Sequence, residues 1–377
     1  MSQNFLTVEM IAKEALLRLR NNLVMRQLVY NNHSNEFANV GDTIQVRKPA
    51  TFTANEWAGS TSTQNIVEDN VLVKLDKVAD VSVNVTAKEL ALNIQDFGFQ
   101  IVEGAMQALA QKIDEDIMGL YKYIPYRGTG GTPGSLPNAL ACVADARATL
   151  NTQKVPFSNR YMVLSPATEA NLLVLDAIAG AEKSGSTQAL REANMGRIMG
   201  FDMYMSQNVM SHSRGTWESQ SPQVSGTPDA GSTTWTVKNL TQSNHSINVG
   251  DMFTINQFDK TYTVVGKPVT ASEASSTTHE IDVWPPLEAA GVDGAAITVL
   301  ANHVANLAFH KHAFAFVNRP LALPMGGAQG AVENFEGLSV RVTMGYEMSE
   351  KRNNISFDIL YGVKTLQPEL AMRLWRK

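Results

Sequence analysis

One stretch limits what this chain can fold into more than any other: residues 96–123, DFGFQIVEGAMQALAQKIDEDIMGLYKY. Its apolar residues Phe97, Ile101, Val102, Ala105, Met106, Leu109, Ile113, Ile117, Leu120 and Tyr121 recur at spacings of three and four, the stripe of an α-helix. The opposite face carries Gln100, Glu103, Gln107, Gln111, Asp114, Glu115 and Lys122. At the rise of a helix the stretch runs roughly 40 Å, longer than most helices of compact domains. It also holds Gly98, Gly104 and Gly119, each costing about 1 kcal/mol against alanine in a helix interior. The spacing therefore predicts a strut that leans closely on other backbone or bends along a partner, with other parts hung from it.

A chain of 377 residues can bury a large core and is long for one simple domain. Charged residues make up 18% and the net charge is −5, which excludes a basic nucleic-acid binder; no Lys/Arg cluster stands out. A protein of this charge that surrounds nucleic acid does so with little electrostatic attraction. The single cysteine, Cys142, excludes an intramolecular disulfide framework and a cysteine metal cluster. The start, MSQNFLTVEM, has neither a basic region nor an apolar core, so no signal peptide is expected. No run of about 18 apolar residues exists to cross a membrane as a helix. The expectation is a chain made and kept in a cytoplasm, where the Asn-x-Ser/Thr triplets at Asn32, Asn239 and Asn244 are chance matches.

Ahead of the strut, residues 6–29 place Leu6, Met10, Ile11, Leu17, Val24 and Leu28 at helical spacing, an N-terminal helix of the kind that docks on something else. From Val40 the period becomes two. Residues 42–48 and 71–85 alternate as strands around the polar stretch 49–70, which predicts an extended hairpin, marginal alone and in need of a neighbour to lie upon. Thr86-Ala87-Lys88-Glu89 is a capping box leading to the strut. Past Pro125, residues 127–135 form a glycine-rich loop. Helices are expected over 138–150 and 167–178, a buried strand over 161–164, and a polar loop over 180–188, which together suggest a mixed α/β layer. Residues 211–229, Ser, Gly, Pro and Thr with little to bury, read as a linker. From 233 to 300 the short segments TWTVKNL, DMFTIN, KTYTVVG, HEIDVWPP and AAITVL, separated by turns, predict a small antiparallel barrel or sandwich inserted as its own unit. Residues 313–317, 338–348 and 355–361 read as further strands.

Few residues signal chemistry. The loop 127–135 lacks Gly-Lys-Ser/Thr and follows a helix, so it is no phosphate cradle. Asp114, Glu115 and Asp116 are consecutive on a helix and point in different directions, which suits a solvated or interface face and not one cation. His310-Lys311-His312 has the spacing of a strand face and offers two imidazoles to a metal, with no recognisable third ligand. Cys142 reads as a small buried side chain. Ser165 sits outside any Gly-x-Ser-x-Gly elbow and has no signalled His/Asp partner. No catalytic, cofactor-binding or metal residue is assigned, and nothing argues for an enzyme.

The order of parts resembles a tailed-bacteriophage major capsid protein of the HK97 fold, in particular the P22-like coat proteins with an inserted barrel. KVADVSVNVTAKELAL (77–92) is similar to their hairpin-to-strut junction, and QALAQKIDEDIMGL to their spine helix. VLSPATEANLL (163–173) followed by MGRIMGFDMYMSQNV (195–209), with Gly200, Phe201, Tyr204, Ser206 and Asn208, is similar to their central domain. NLAFHKHAFAFVNRPL (306–321) and ILYGVKTLQPELAMRL (359–374) are similar to their C-terminal segments.

The resemblance implies an α+β fold: an N-terminal arm (1–40), an E-loop hairpin (41–85), a P domain with the spine helix (86–135), and a first A-domain part (136–211). An inserted barrel (212–300) and a C-terminal A/P part (301–377) complete it. It also implies hexamers and pentamers that build an icosahedral shell around double-stranded DNA without sequence-specific binding. Assembly would take place in the host cytoplasm, usually on a scaffolding protein, with a portal at one vertex, no membrane and no cofactor. No Lys/Asn pair is marked for covalent cross-linking. An encapsulin-like compartment shell, a soluble enzyme with a β-rich appendage and a β-rich tail or adhesin module are the rival readings.

Overall fold

The computed structural model describes residues 8–31, 43–47, 56–57, 70–86, 97–128, 135–180, 188–240, 245–270, 276–324, 326, 329–335, 337–349 and 352–375. The hairpin tip (all but Glu56 and Trp57), capping-box residues 87–89, the middle of the glycine-rich loop (129–134), most of the polar loop (181–187), Leu6, Asn32 and Asn244 lie outside the described residues. The chain divides into two compact units, Met1–Ile117 with Phe314–Leu366, and Met118–Ala313 with Gln367–Lys377.

The first unit is organised on a five-stranded antiparallel sheet whose hub is the 14-residue strand Arg352–Thr365. Leu338–Glu347 and Phe314–Arg319 pair with successive parts of it, Gln329–Phe335 pairs outside Leu338–Glu347, and Lys77–Thr86 pairs with Arg352–Tyr361. The helix Val8–Asn22 lays Ile11, Ala12, Ala15, Leu16 and Leu19 on the strands Gln329–Phe335 and Leu338–Glu347, all five being buried. The expected single helix over 6–29 is broken. Val24 N–H and Met25 N–H turn to the Asp114 carboxylate instead of the carbonyls four residues back, and a second short helix, Met25–Leu28, starts there.

The alternating run 71–85 also splits. Asn70–Lys74 pairs with Thr43–Arg47, while Lys77–Thr86 joins the larger sheet. The base of the hairpin is not short of burial in its own unit: Ile44, Val46, Val73 and Leu75 pack against Ala315, Val317 and Leu366. Gly362 permits this approach, because a Cβ there would collide with the Lys74 carbonyl oxygen.

The strut is the helix Phe97–Met118, followed by a 3-10 turn, Gly119–Tyr123. Val102, Ala105, Met106, Leu109, Ala110, Ile113 and Ile117 are buried, and Glu103, Gln107, Gln111, Lys112 and Glu115 are exposed. Gly104 and Gly119 do not mark close backbone packing within one copy: a Cβ on Gly104 meets nothing within 4 Å, and one on Gly119 meets only the Met210 side chain.

In the second unit, a five-stranded sheet runs in the order Ala371–Leu374, Asn306–His310, Arg160–Leu164, Phe201–Met205, Arg197–Ile198. Arg160–Leu164 and Phe201–Met205 are parallel. The helix Leu140–Thr152 packs Cys142, Val143, Ala146 and Leu150 into the core against Met162, Leu164, Phe201 and Met372. The helix expected over 167–178 is two helices, Pro166–Leu173 and Asp176–Ala179, the first capped by the Ser165 hydroxyl accepting from Thr168 N–H.

A six-stranded antiparallel sheet follows, in the order Ile297–Val299, Met252–Ile255, Thr261–Gly266, His279–Trp284, Thr234–Lys238, Gln223–Ser225. Its two outer strands also meet, since Val224 N–H donates to Ala295 O and Ile297 N–H to Pro222 O. Inside it, Phe253 lies edge-on to Trp217 and Trp235 and stacks on Tyr262. The chain enters and leaves by a small pair of strands, Ser211–His212 with His303–Val304. Residues 211–229 are therefore no linker. They supply two strands, the 3-10 turn Thr216–Gln220 and the fully buried Trp217, a large apolar side chain that the surrounding Ser and Gly conceal in composition.

Candidate functional site

The three acids of the strut separate as helix geometry demands, but two of them do not face water. Asp114 is buried and accepts Val24 N–H and Met25 N–H, each at 3.1 Å. Asp116 accepts the Tyr361 hydroxyl at 2.5 Å and pairs with Lys77 and Lys112 at 2.9 and 3.3 Å. Burial pushes the Asp116 carboxyl up, but the Tyr361 hydroxyl and Lys77 outweigh it and hold the group below its ordinary value. Only Glu115 is left on the exposed face. Of the expected solvated or interface face, the solvated reading is corrected for Asp114 and Asp116, which serve long-range donors that no local pattern announces.

His310 and His312 do not offer paired lone pairs to a metal. His310 ends a strand and His312 lies in the 3-10 turn Lys311–Ala313, with the rings stacked at 5.3 Å and 29°. The His310 Nδ1 lone pair accepts His312 N–H. Cys142 is a buried free thiol inside the core. Ser165 gives its hydroxyl to the helix cap and to Thr168, and its N–H to Asn306 Oδ1 at 2.7 Å. Arg127, at the start of the glycine-rich loop, lies over the Trp375 ring and donates to Thr261 Oγ1 at 3.1 Å. Among the described residues no group of three or more His, Cys, Asp or Glu could hold a metal.

Where the chain enters and leaves the six-stranded sheet lies a buried polar node that the sequence did not announce. Its members, Tyr121, His212, Asp251, His303 and Arg373, are scattered over some 250 positions and share no local motif. Asp251 accepts Gly215 N–H, Trp217 Nε1–H at 2.8 Å, Asn248 N–H at 3.0 Å and His212 Nε2–H at 3.0 Å. With His212 Nε2 donating, its Nδ1 accepts the Tyr121 hydroxyl at 3.0 Å. Gly215 is required at its place, since a Cβ there would collide with the Ser246 carbonyl oxygen. Arg373 is fully buried and donates to Tyr121 O, Gly250 O and His303 Nε2 at 3.0–3.1 Å. Burial lowers its guanidinium to about 9, so it remains charged at neutral pH.

Tyr121, His212 and Asp251 stand in the order of a proton relay, yet they are 3%, 4% and 0% exposed, so no substrate reaches them. What the node does is give its own buried members, Tyr121, His212, Asp251, His303 and Arg373, hydrogen-bond partners at the neck of the six-stranded sheet. His303 completes it: with Nδ1–H donating to Ala301 O, its Nε2 accepts from Arg373. Burial, then the Arg373 charge, keep the ring neutral down to about pH 3. This sets an acid limit. An unfolded imidazole charges near 6.5, so the stability tied to neutral His303 is complete above that pH and is lost as pH falls toward 3. At about 1.4 kcal/mol per pH unit the loss at pH 4 is about 3 kcal/mol. Thermal melts from pH 7 to pH 4 should fall steeply, and a flat series would contradict this account.

Two open concavities lie among the described residues. One of about 420 Å³ is lined by Leu140, Ile178, Met195, Ile198 and Met199 with Arg197 among them, and one of about 400 Å³ by Arg20, Arg26, Gln27 and Asn31. Neither holds an acid–base pair. No helix among the described residues is long and apolar enough to cross a membrane.

A sheet-borne strut, a two-stranded limb, an α/β layer and a β-rich segment between two parts of that layer make up a mixed α+β fold of the HK97-like capsid class. The structure of Mycobacterium phage Che8 matches it with a TM-score of 0.52 at 15% identity, over 93% of this chain and 90% of that chain. The capsid of Ralstonia phage GP4 matches at 10% identity and TM-score 0.49, over 91% and 86% of the two chains. An empty GTA particle capsid matches at 9% identity and TM-score 0.46, over 94% and 90%. No curated protein matches the chain. Residues 237–374 match the family model "P22 coat protein - gene protein 5". The structural likeness shows the fold, and the match to the P22 coat protein model covers residues 237–374.

Proposed function

We propose that this protein assembles as hexamers and pentamers into a closed icosahedral shell around double-stranded DNA, forming in the host cytoplasm on a scaffolding protein with a portal at one vertex. The observation that carries the reading is a coat-family match over 237–374 in a chain of which 93% aligns with a phage structure. In this reading residues 1–40 are the arm, 41–85 the E-loop, 86–135 the P domain, 136–211 and 301–377 the remaining body, and 212–300 an inserted barrel. The net charge of −5 suits a lining that holds packed DNA without gripping it or reading its sequence. Exposed Trp57, Leu72, Val78, Tyr346 and Met348 suit burial among copies, where many modest contacts add. The protein acts by assembly and not as an enzyme.

Purified protein, alone and with a co-expressed scaffold, is expected to form capsomers or closed particles by negative-stain microscopy. Monodisperse monomers under both conditions would reject the proposal, and particles carrying a copurified enzyme in place of a portal would return the compartment reading.

A further inference from the structure

Asp114 sits where the N-terminal segment breaks. The last helical bond of Val8–Asn22 runs from Leu23 N–H to Leu19 O, and the next two amides, Val24 and Met25, both go to the Asp114 carboxylate. Beyond the turn, Tyr30 is stitched to the strand Phe314–Arg319, with Tyr30 N–H on Phe314 O and Phe316 N–H on Tyr30 O. Leu23, Met25, Leu28 and Val29 are buried around it, and Asp114 itself is 3% exposed. Asp114 therefore ties this turn to the strut by two hydrogen bonds.

Among the described residues no ion pair forms on Asp114. On the strut itself Lys112 is taken by Asp116 and Glu115 is exposed; on the strand Lys77–Thr86, Lys77 also goes to Asp116. On Arg352–Thr365, Tyr361 gives its hydroxyl to Asp116. On the N-terminal segment Arg18 is tied to Glu14 and Glu103, and Arg26 makes no ion pair with Asp114. An ionised carboxylate held away from water by two neutral donors alone costs free energy, and a carboxylic acid there costs far less. In the opened turn the same carboxyl meets water and ionises normally.

We propose that residues 23–29 form a proton-linked strap, which closes on the strut when the Asp114 carboxyl takes up a proton from solvent and loosens when it gives that proton back. Burial lifts the carboxyl from its ordinary 3.8 to about 6, against the pull of the Val24 and Met25 amides. The closed value lies above the open one, so acid favours closing; the effect is complete below about pH 4 and gone above about pH 7. Between pH 7.5 and pH 5 the closed-to-open ratio should rise about tenfold. Tyr30 holds the far end, which confines the opening to the turn.

The test is hydrogen exchange of the full-length protein in its assembled form, followed in peptides spanning 20–31 from pH 5 to 7.5 and corrected for the intrinsic pH dependence of exchange. Wild-type protection at Val24 and Met25 should rise about tenfold toward pH 5. Asp114→Asn, neutral at every pH, should remove that dependence. Wild-type protection that is flat or falls on acidification would overturn the proposal without any variant, as would an Asp114→Asn protein that keeps the full pH response.

Discussion

Arg373→Ala is expected to lower the melting temperature of the folded protein by 10 °C or more. The guanidinium is fully buried and serves Tyr121 O, Gly250 O and His303 Nε2, and its plane lies 5.1 Å over the Tyr121 ring. Truncation removes the charge and takes the donors from Gly250 O and His303 Nε2, in a place from which water is excluded, while Tyr121 O keeps Ile124 N–H. Each such acceptor costs about 1–3 kcal/mol, and breaking a buried charged network typically costs about 3–5 kcal/mol in total. Against a total stability of about 5–15 kcal/mol, that is enough to bring the variant close to unfolding. At roughly 2–4 °C per kcal/mol for a unit of this size the shift is readable by calorimetry. Arg373→Lys should recover little, because one ammonium on a flexible stem cannot reach acceptors that a planar fork reaches together. A shift under about 3 °C for Arg373→Ala would mean that solvent or a moving backbone satisfies those acceptors, and the node would lose its structural meaning.

What could be read from the residues, and what could not, divides along the range of the interactions. The strut was legible because its stripe repeats over many turns, and the buried set Val102, Ala105, Met106, Leu109, Ile113 and Ile117 is the set that spacing selects. Strand pairs such as Leu338–Glu347 with Arg352–Thr365 were legible from alternation and a polar turn. The break at Leu23–Val24 was not, because its cause, Asp114, is 90 residues away and looks like one more polar residue on a polar face. Nor was the split of the run 71–85. The alternation continues across Leu75 and Asp76, and only the close approach at Gly362 reveals that Lys74 leaves the sheet that Lys77 joins. The stretch 211–229 misled for a compositional reason: Trp217, one residue among many small ones, outweighs all of them in buried area. The node at Tyr121, His212, Asp251, His303 and Arg373 could have been suspected only from the rarity of an arginine inside the apolar run LAMRLW.

The second large effect is expected at Asp251, where Ala and Asn should differ sharply. Asp251→Ala strands four donors in a fully buried site: Gly215 N–H, Asn248 N–H, Trp217 Nε1–H and His212 Nε2–H. The loss should reach about 4 kcal/mol or more, since unsatisfied buried donors add until the backbone moves. Asp251→Asn has an escape. Its amide oxygen can take the place of Oδ2, which serves Trp217, Asn248 and Gly215, leaving the amide NH2 to face His212. The imidazole can then exchange tautomers, accepting at Nε2 and donating from Nδ1 to the Tyr121 oxygen, so that the losses are the charge and the acceptor of the Tyr121 hydroxyl proton. Asp251→Asn should therefore cost about 1–2 kcal/mol. Paired denaturant titrations read the difference, and the emission of Trp217, whose indole N–H loses its acceptor only in Asp251→Ala, reports whether the hydrogen bond itself is gone. Equal losses in the two variants would show that the negative charge beside Arg373, and not the four donors, makes this carboxylate indispensable to the neck of the six-stranded sheet.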